Sequence, residues 1–188
     1  MAQIVFLDTG VILDYLENRN AAVKSILEQL LYLHKNGRVV LATSVFNIAE
    51  TIDKEFDIHF GGWGLTQKMS FDEISRMRRD RRLFAEVSGR NKSRVQKNVD
   101  RFASQNEITV FSLPPEAQQY EQLYNLIYRY QLQSQDALIV AAALANKATY
   151  FLSNDLELVR KTRDVLDGYN LRDEGSLDAF RRTVLQAI

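Results

Sequence analysis

The sequence predicts an α/β fold: a doubly wound, mostly parallel four- to five-stranded sheet with helices on both faces, plus a helical basic insert. Three observations lead there. Short apolar runs recur at Ile4-Val5-Phe6-Leu7, Val39-Val40-Leu41, Ile108 to Phe111 and Tyr150-Phe151-Leu152, as expected of strands buried on both faces. Helix-period segments long enough for crossovers separate them, which implies parallel pairing through right-handed connections. Between the second and third runs the charge changes character: Lys68 to Arg101 holds 11 Lys or Arg against 5 Asp or Glu, a net +6 within a chain of zero formal charge.

Taken in order, residues 3 to 7 form the first strand, and Val11, Ile12, Tyr15 and Leu16 mark a helix behind it. Val23, Ile26, Leu27, Leu30, Leu31 and Leu33 mark a longer helix that Gly37 stops. After the second strand, Ser44 is a good N-cap for a helix carrying Val45, Ile48, Glu50 and Ile52. Gly61-Gly62-Trp63-Gly64 reads as a loop, and from there to about Ala103 the pattern is helical, with Ile74, Met77, Phe84 and Val87 on one stripe. The third strand ends before Pro114-Pro115, which opens a helix carrying Leu123, Leu126, Ile127 and Tyr130. Ser134 as N-cap puts Asp136 in the first turn of the next helix, and residues 149 to 152 are the fourth strand.

At 188 residues and 46% apolar side chains, the chain suits a single domain over 1–188, with an arginine-rich insert at about 60–105 and a short C-terminal extension from about 165. The longest strictly apolar run, Ala137 to Ala145, is too short to span a bilayer, and Asp8 interrupts the N-terminal apolar stretch, so a cytoplasmic location is expected. With no cysteine, disulfides and thiolate metal sites are excluded. His34 and His59 have no partner motif and read as structural or surface residues. Any metal would be oxygen-bound.

Asp8 follows the first strand directly and Asp155 follows the fourth by three residues. In an open parallel sheet this is the edge where ligands bind. Glu50 and Asp136 ride on largely apolar helices, where a charge is costly unless it faces water, a partner or a metal. Each acid also has a structural reading: Asp8 and Asp155 as N-caps, Asp136 as a first-turn acid worth ~0.3–1 kcal/mol against the helix dipole, and Glu50 as a water-facing helical glutamate. As a set, four carboxylates suit Mg²⁺ or Mn²⁺. Two such ions about 4 Å apart can hold the attacking and leaving oxygens of a phosphodiester displacement.

The residues around these acids resemble the PIN-domain family of metal-dependent ribonucleases, of the VapC-like toxin type. Phe6-Leu7-Asp8-Thr9 is similar to the family's opening strand and first acid, Asn47-Ile48-Ala49-Glu50 to its second, Asp136 to Ala143 to its third, and Leu152-Ser153-Asn154-Asp155 to its fourth, in family order. The resemblance covers most of residues 3 to 160 and implies a Mg²⁺ or Mn²⁺ site with Asp8, Glu50, Asp136 and Asp155 as catalytic metal ligands, and endonucleolytic cleavage of RNA. It implies further that Ser153 holds the fourth acid or a metal-bound water, with Thr9 as a supporting hydroxyl and Glu157 as a weaker additional acid, which reads first as a first-turn acid of the helix after Asp155. The family commonly has Ser or Asn where this chain has Gly10. A toxin-antitoxin pairing, with an antitoxin protein as partner, and a homodimer are family expectations.

The basic stretch reads equally as an amphipathic helix with solvated arginine heads or as a surface that contacts phosphates. In the family it forms an arm beside the groove, which makes Arg76, Arg78, Arg79, Arg81 and Arg82 the candidates to guide RNA. Some of them are expected to bond to Asp72, Glu73, Asp80 or Glu86 instead. Trp63, Phe71 and Phe84 read as core residues before base-stacking ones. Two other functions compete: a non-catalytic RNA-binding or scaffold PIN domain, and a phosphatase of the haloacid dehalogenase type. The latter needs a second Asp two residues after Asp8, where Gly10 stands.

Overall fold

Five strands, β1 (Gln3–Leu7), β2 (Val39–Ser44), β3 (Thr109–Phe111), β4 (Tyr150–Ser153) and β5 (Gly168–Asn170), pair in the order β3-β2-β1-β4-β5, every pair parallel. The structure is a computed structural model that describes residues 2–112 and 117–186. Because the chain winds outward from β1 to β3 and then returns beside β1 to form β4, its connections diverge between β1 and β4. This switch point opens a crevice at their carboxyl ends.

Helices α1 (Thr9–Leu16), α2 (Ala21–Lys35), α3 (Val45–Thr66), α4 (Phe71–Met77), α5 (Arg81–Ala103), α6 (Ala117–Tyr128), α7 (Ser134–Ala145), α8 (Leu156–Thr162) and α9 (Glu174–Phe180) follow the strands, and a π-helical turn spans Arg181–Leu185. Alternation along β1 divides the core into two layers. Val5 and Leu7 pack with α1, α2 and the C-terminal helices around Phe102 and Phe180. Phe6 faces the other side and stacks on Phe151 (ring centroids 5.9 Å apart) over the alanine-rich α7. The residues expected as a C-terminal extension supply β5 at the sheet edge, and α9 buries Leu177 and Phe180 against the first layer.

Local signals set most boundaries. Asn20 caps α2, Ser44 with Asn47 forms a capping box on α3, and Gly37, with φ 68°, takes the left-handed conformation just after α2. Three expectations are corrected. Gly61-Gly62-Trp63-Gly64 lies inside α3, not in a loop. The helix runs on because Phe60, 1% exposed, packs on Trp63 and Phe84 with centroids 5.4 Å away in each case, and because the bare backbone of Gly64 admits Ile74 from α4. That packing outweighs a cost of roughly 1 kcal/mol per helical glycine. Ser134 is the first residue of α7 and Gln133 the cap position, without a side-chain capping bond, so Asp136 still falls in the first turn. Tyr130 lies beyond α6, while Pro114 and Pro115 lie outside the described residues. Among the described residues, no helix is long and apolar enough to cross a membrane.

Candidate active site

β1 delivers Asp8 to the switch point, where its backbone N–H donates to the Leu152 carbonyl of β4 at 2.9 Å. As the N-cap of α1, Asp8 accepts at Oδ1 from the Thr9 N–H (2.7 Å) and from Asn47 Nδ2 (3.2 Å), and at Oδ2 from Ser153 Oγ (2.6 Å). Three donors thus fix a carboxylate that is only 8% exposed. Burial nevertheless pushes its pKa up to about 6, against the bonds from Ser153 and Thr9, and the charges of Glu50 and Asp136 push in the same direction. Oδ2, with a single donor, keeps a lone pair for another partner.

The other acids arrive from three different elements. Glu50, half-buried on α3, accepts from Thr9 Oγ at 2.8 Å, and Asn47 Nδ2 donates to that hydroxyl at 3.1 Å. Asp136, half-buried in the first turn of α7, has its pKa raised by burial and then by the charges of Asp155 and Glu50. Asp155 is exposed and caps α8, accepting from the N–H groups of Glu157 (2.8 Å) and Leu158 (3.0 Å). Ser153 Oγ accepts from the Asp155 N–H at 3.0 Å while donating to Asp8. It therefore holds the first acid by its carboxylate and the fourth only through its backbone. Glu157 pairs with Lys161 at 2.7 Å at the groove's edge.

Asp8, Glu50, Asp136 and Asp155 line one open groove of about 570 Å³, with Arg19 and Lys54 on its walls. None of the four acids forms an ion pair among the described residues. Four carboxylates, of which Asp8 and Asp136 have their pKa raised by burial and by the neighbouring acids, in a groove without thiol or imidazole, make a donor set that fits a hard divalent cation such as Mg²⁺ or Mn²⁺. Gly10 has a spatial reason. A Cβ there would lie 3.2 Å from Cβ of Asn154, so glycine lets α1 approach the Ser153–Asp155 turn closely.

Residues 5–164 match the family model described as PIN domain. The chain belongs to the PIN domain family. PIN domains are in general nucleases that use divalent metal ions. Among solved structures, a chain of VapBC2 from Rickettsia felis, crystallised bound to a DNA fragment from their promoter, matches with a TM-score of 0.51 at 19% identity, over 89% of this chain and 99% of that one. At that identity the likeness is one of fold. No curated protein matches the sequence.

The arginine candidates of this PIN domain do not line the acid groove. Arg78 is tied to Asp57 and, at 3.6 Å, to Asp53, both on α3, and its guanidinium sits 3.8 Å above the centre of the Phe84 ring. It bonds to none of the local acids expected. Asp80 instead caps α5, Glu73 closes a capping box with Ser70, and Glu86 pairs with Arg90. Arg76, Arg79, Arg81 and Arg82 are exposed on the arm built by α4 and α5. Trp63 and Phe84 are packed as expected, but Phe71 is 77% exposed at the start of α4.

Sequence reasoning missed Asn47, Arg19 and Lys54. Asn47 is fully buried and serves α3 and the site together, and its only local signal is the Ser44-x-x-Asn47 capping spacing. Arg19 is aimed by the buried Asp14, which accepts from its Nε at 2.9 Å, and also binds Arg172 Nη2 (2.7 Å) and Asn154 Nδ2 (2.8 Å).

Proposed function

We propose that this PIN domain is a Mg²⁺- or Mn²⁺-dependent endoribonuclease in which Asp8, Glu50, Asp136 and Asp155 hold a two-ion site, and that it acts as the toxin of a toxin-antitoxin pair in the cytoplasm. The observation that carries this reading is the meeting of the four acids at the β1/β4 switch point, where Asp8 and Asp136 are burdened by the other charges. When bound, the ions supply charge neutralisation and Lewis-acid polarisation of the phosphodiester and of the attacking water.

The protein's own groups do the positioning. Thr9 N–H, Asn47 and Ser153 hold Asp8 in one orientation, and Thr9 Oγ holds Glu50 beside it. The Asp155 carboxylate, on the groove wall, is held at Oδ1 by the first turn of α8, and its Oδ2 has no donor among the described residues. Arg19 and Lys54, on the walls, take phosphates of the RNA on either side of the cut. Glu157 adds negative charge at the rim. Of the arm arginines, Arg76, Arg79, Arg81 and Arg82, which form no ion pair among the described residues, extend that contact along the strand, whereas Arg78 braces α4 against α3.

An antitoxin protein as partner is proposed from the likeness in fold to a VapBC2 chain, and a homodimer from family membership. The deciding experiment is cleavage of single-stranded and hairpin RNAs by wild type and Asp8→Asn, with Mn²⁺, with Mg²⁺ and with chelator. The expected result is metal-dependent cutting that Asp8→Asn abolishes. Mn²⁺ binding without any cutting would favour the non-catalytic RNA-binding or scaffold role instead.

A further inference from the structure

Away from the groove, the end of α1 and the middle of α3 bring together a second set of metal-ligating groups. Glu55 and His59 stand one turn apart on α3 and so share a face. Packing of α1 on α3 adds Glu17, the C-cap of α1. A carboxylate oxygen of each glutamate and a ring nitrogen of His59 all lie within 4.8 Å of one another. None of the three lines the acid groove, and no three of the groove acids are gathered this closely.

Glu55 is completely buried, and Asn98 Nδ2 on α5 lies 3.3 and 3.1 Å from its two oxygens. Burial first, and then the charge of Glu17, push its pKa up to about 7 despite that amide and the nearby Arg94. Nε2 of His59 is sealed from solvent and has no hydrogen-bond partner among the described residues. Burial and the charge of Arg94 hold the imidazole below its ordinary pKa, against Glu17, and so favour the neutral ring that coordinates metals.

Three agents could neutralise such a cluster. Arg94 forms no ion pair with either glutamate among the described residues. A proton shared by the two carboxyls leaves the buried Nε2 without a partner. A divalent cation gives the two carboxylates and a ring nitrogen of His59 a partner at once and balances the two negative charges. We propose that Glu17, Glu55 and His59 form a second metal site, separate from the nuclease groove, for a divalent transition metal of the Zn²⁺ class.

The ligand chemistry selects that class. One imidazole with two carboxylates suits Zn²⁺ better than Mg²⁺ or Ca²⁺. Ligand atoms on a tetrahedral ion with bonds of about 2.0–2.2 Å stand about 3.4 Å apart, so atoms now within 4.8 Å of one another close in by up to about 1.4 Å on binding. Glu17 and His59 are each half-buried and can turn to do this, while Asn98 keeps Glu55 oriented as outer-shell partners do. The bound ion pins the end of α1 to α3, and through Asn98 to α5, at the root of the basic arm.

The test uses the full chain with Asp8→Asn and Asp136→Asn, so that the groove acids do not compete, stripped by chelator. Zn²⁺ is titrated by calorimetry, and Co²⁺ is followed by its visible absorption. The expected result is one stoichiometric ion, a Co²⁺ band of low-coordination type, and a thermal midpoint raised by about 5–10 °C at a hundredfold excess over Kd. Adding His59→Gln removes the band and the rise. Should that variant fail to fold, Glu17→Gln serves in its place. The proposal is overturned if no stoichiometric ion binds, or if Zn²⁺ binding and the thermal rise survive His59→Gln and Glu17→Gln. Since the groove is disabled throughout, the result is independent of whether the protein cleaves RNA.

Discussion

In metal-free protein, replacing a proposed metal ligand of the acid groove should stabilise the fold. Asp8 is the test case, because burial holds its folded pKa at about 6 against an ordinary 3.8. A folded pKa raised in this way favours folding fully below about pH 4, and the contribution is lost as pH rises through about 6. At 1.36 kcal/mol per pH unit the wild type loses about 3 kcal/mol over that window. Asp8→Asn carries no charge and escapes the loss, but its amide cannot accept everything the carboxylate does: donors arrive at Oδ1 from Thr9 and Asn47 and at Oδ2 from Ser153. One unsatisfied bond offsets about 1 kcal/mol. The variant should therefore exceed wild type by about 2 kcal/mol at pH 8 in chelator, or about 4–8 °C in a thermal melt of a chain this long. The difference should shrink on acidification and change sign below about pH 4, where the unsatisfied bond leaves the variant about 1 kcal/mol the less stable, and at pH 8 saturating Mn²⁺ should reverse it, since a ligand at a hundred times its Kd adds about 2.7 kcal/mol to the form that binds it. An Asp8→Asn protein no more stable than wild type at pH 8, or a difference that ignores pH, would refute the electrostatic reasoning.

Gly64→Ala should cost about 1–3 kcal/mol in urea denaturation, because the new Cβ would lie 2.5 Å from Cγ1 of Ile74, and adding Ile74→Ala should recover part of it. Arg172→Ala removes bonds of 3.0 and 2.7 Å from the fully buried Asp14 and should destabilise by about 1–2 kcal/mol at neutral pH. Asp14 has its pKa lowered by Arg172 and Arg19 against burial, so that cost should shrink as pH falls below 3.8, as pH-dependent melts of both proteins can check. Lys54→Ala, at an exposed groove position that makes no ion pair among the described residues, should raise the KM for RNA about tenfold and leave Mn²⁺ affinity unchanged, with kinetics and calorimetry as the two readouts.

What was legible in the sequence, and what was not, divides along the range of the forces involved. Apolar runs bounded by acids are local, and they locate four of the five strands and set Asp8 and Asp155 at the carboxyl edge of the sheet. Capping is local as well, which is why Ser44 starts α3 as read. The Gly61–Gly64 stretch reads as a loop because the forces that keep it helical, Phe84 on Phe60 and Ile74 on Gly64, come from later helices. Arg78 reads as a candidate RNA contact because its partners Asp53 and Asp57 lie 25 and 21 positions back. His59 looked partnerless for the same reason: Glu55 is beside it on α3, but Glu17 reaches it only when α1 packs there. Charged residues are thus the hardest to assign from sequence, since each can be satisfied by a cap, a distant ion pair, a metal or water, and only the packed chain chooses. The same ambiguity explains Asp8, which is a helix cap and a groove acid at once, its capping bond to Thr9 holding the carboxylate that the groove presents.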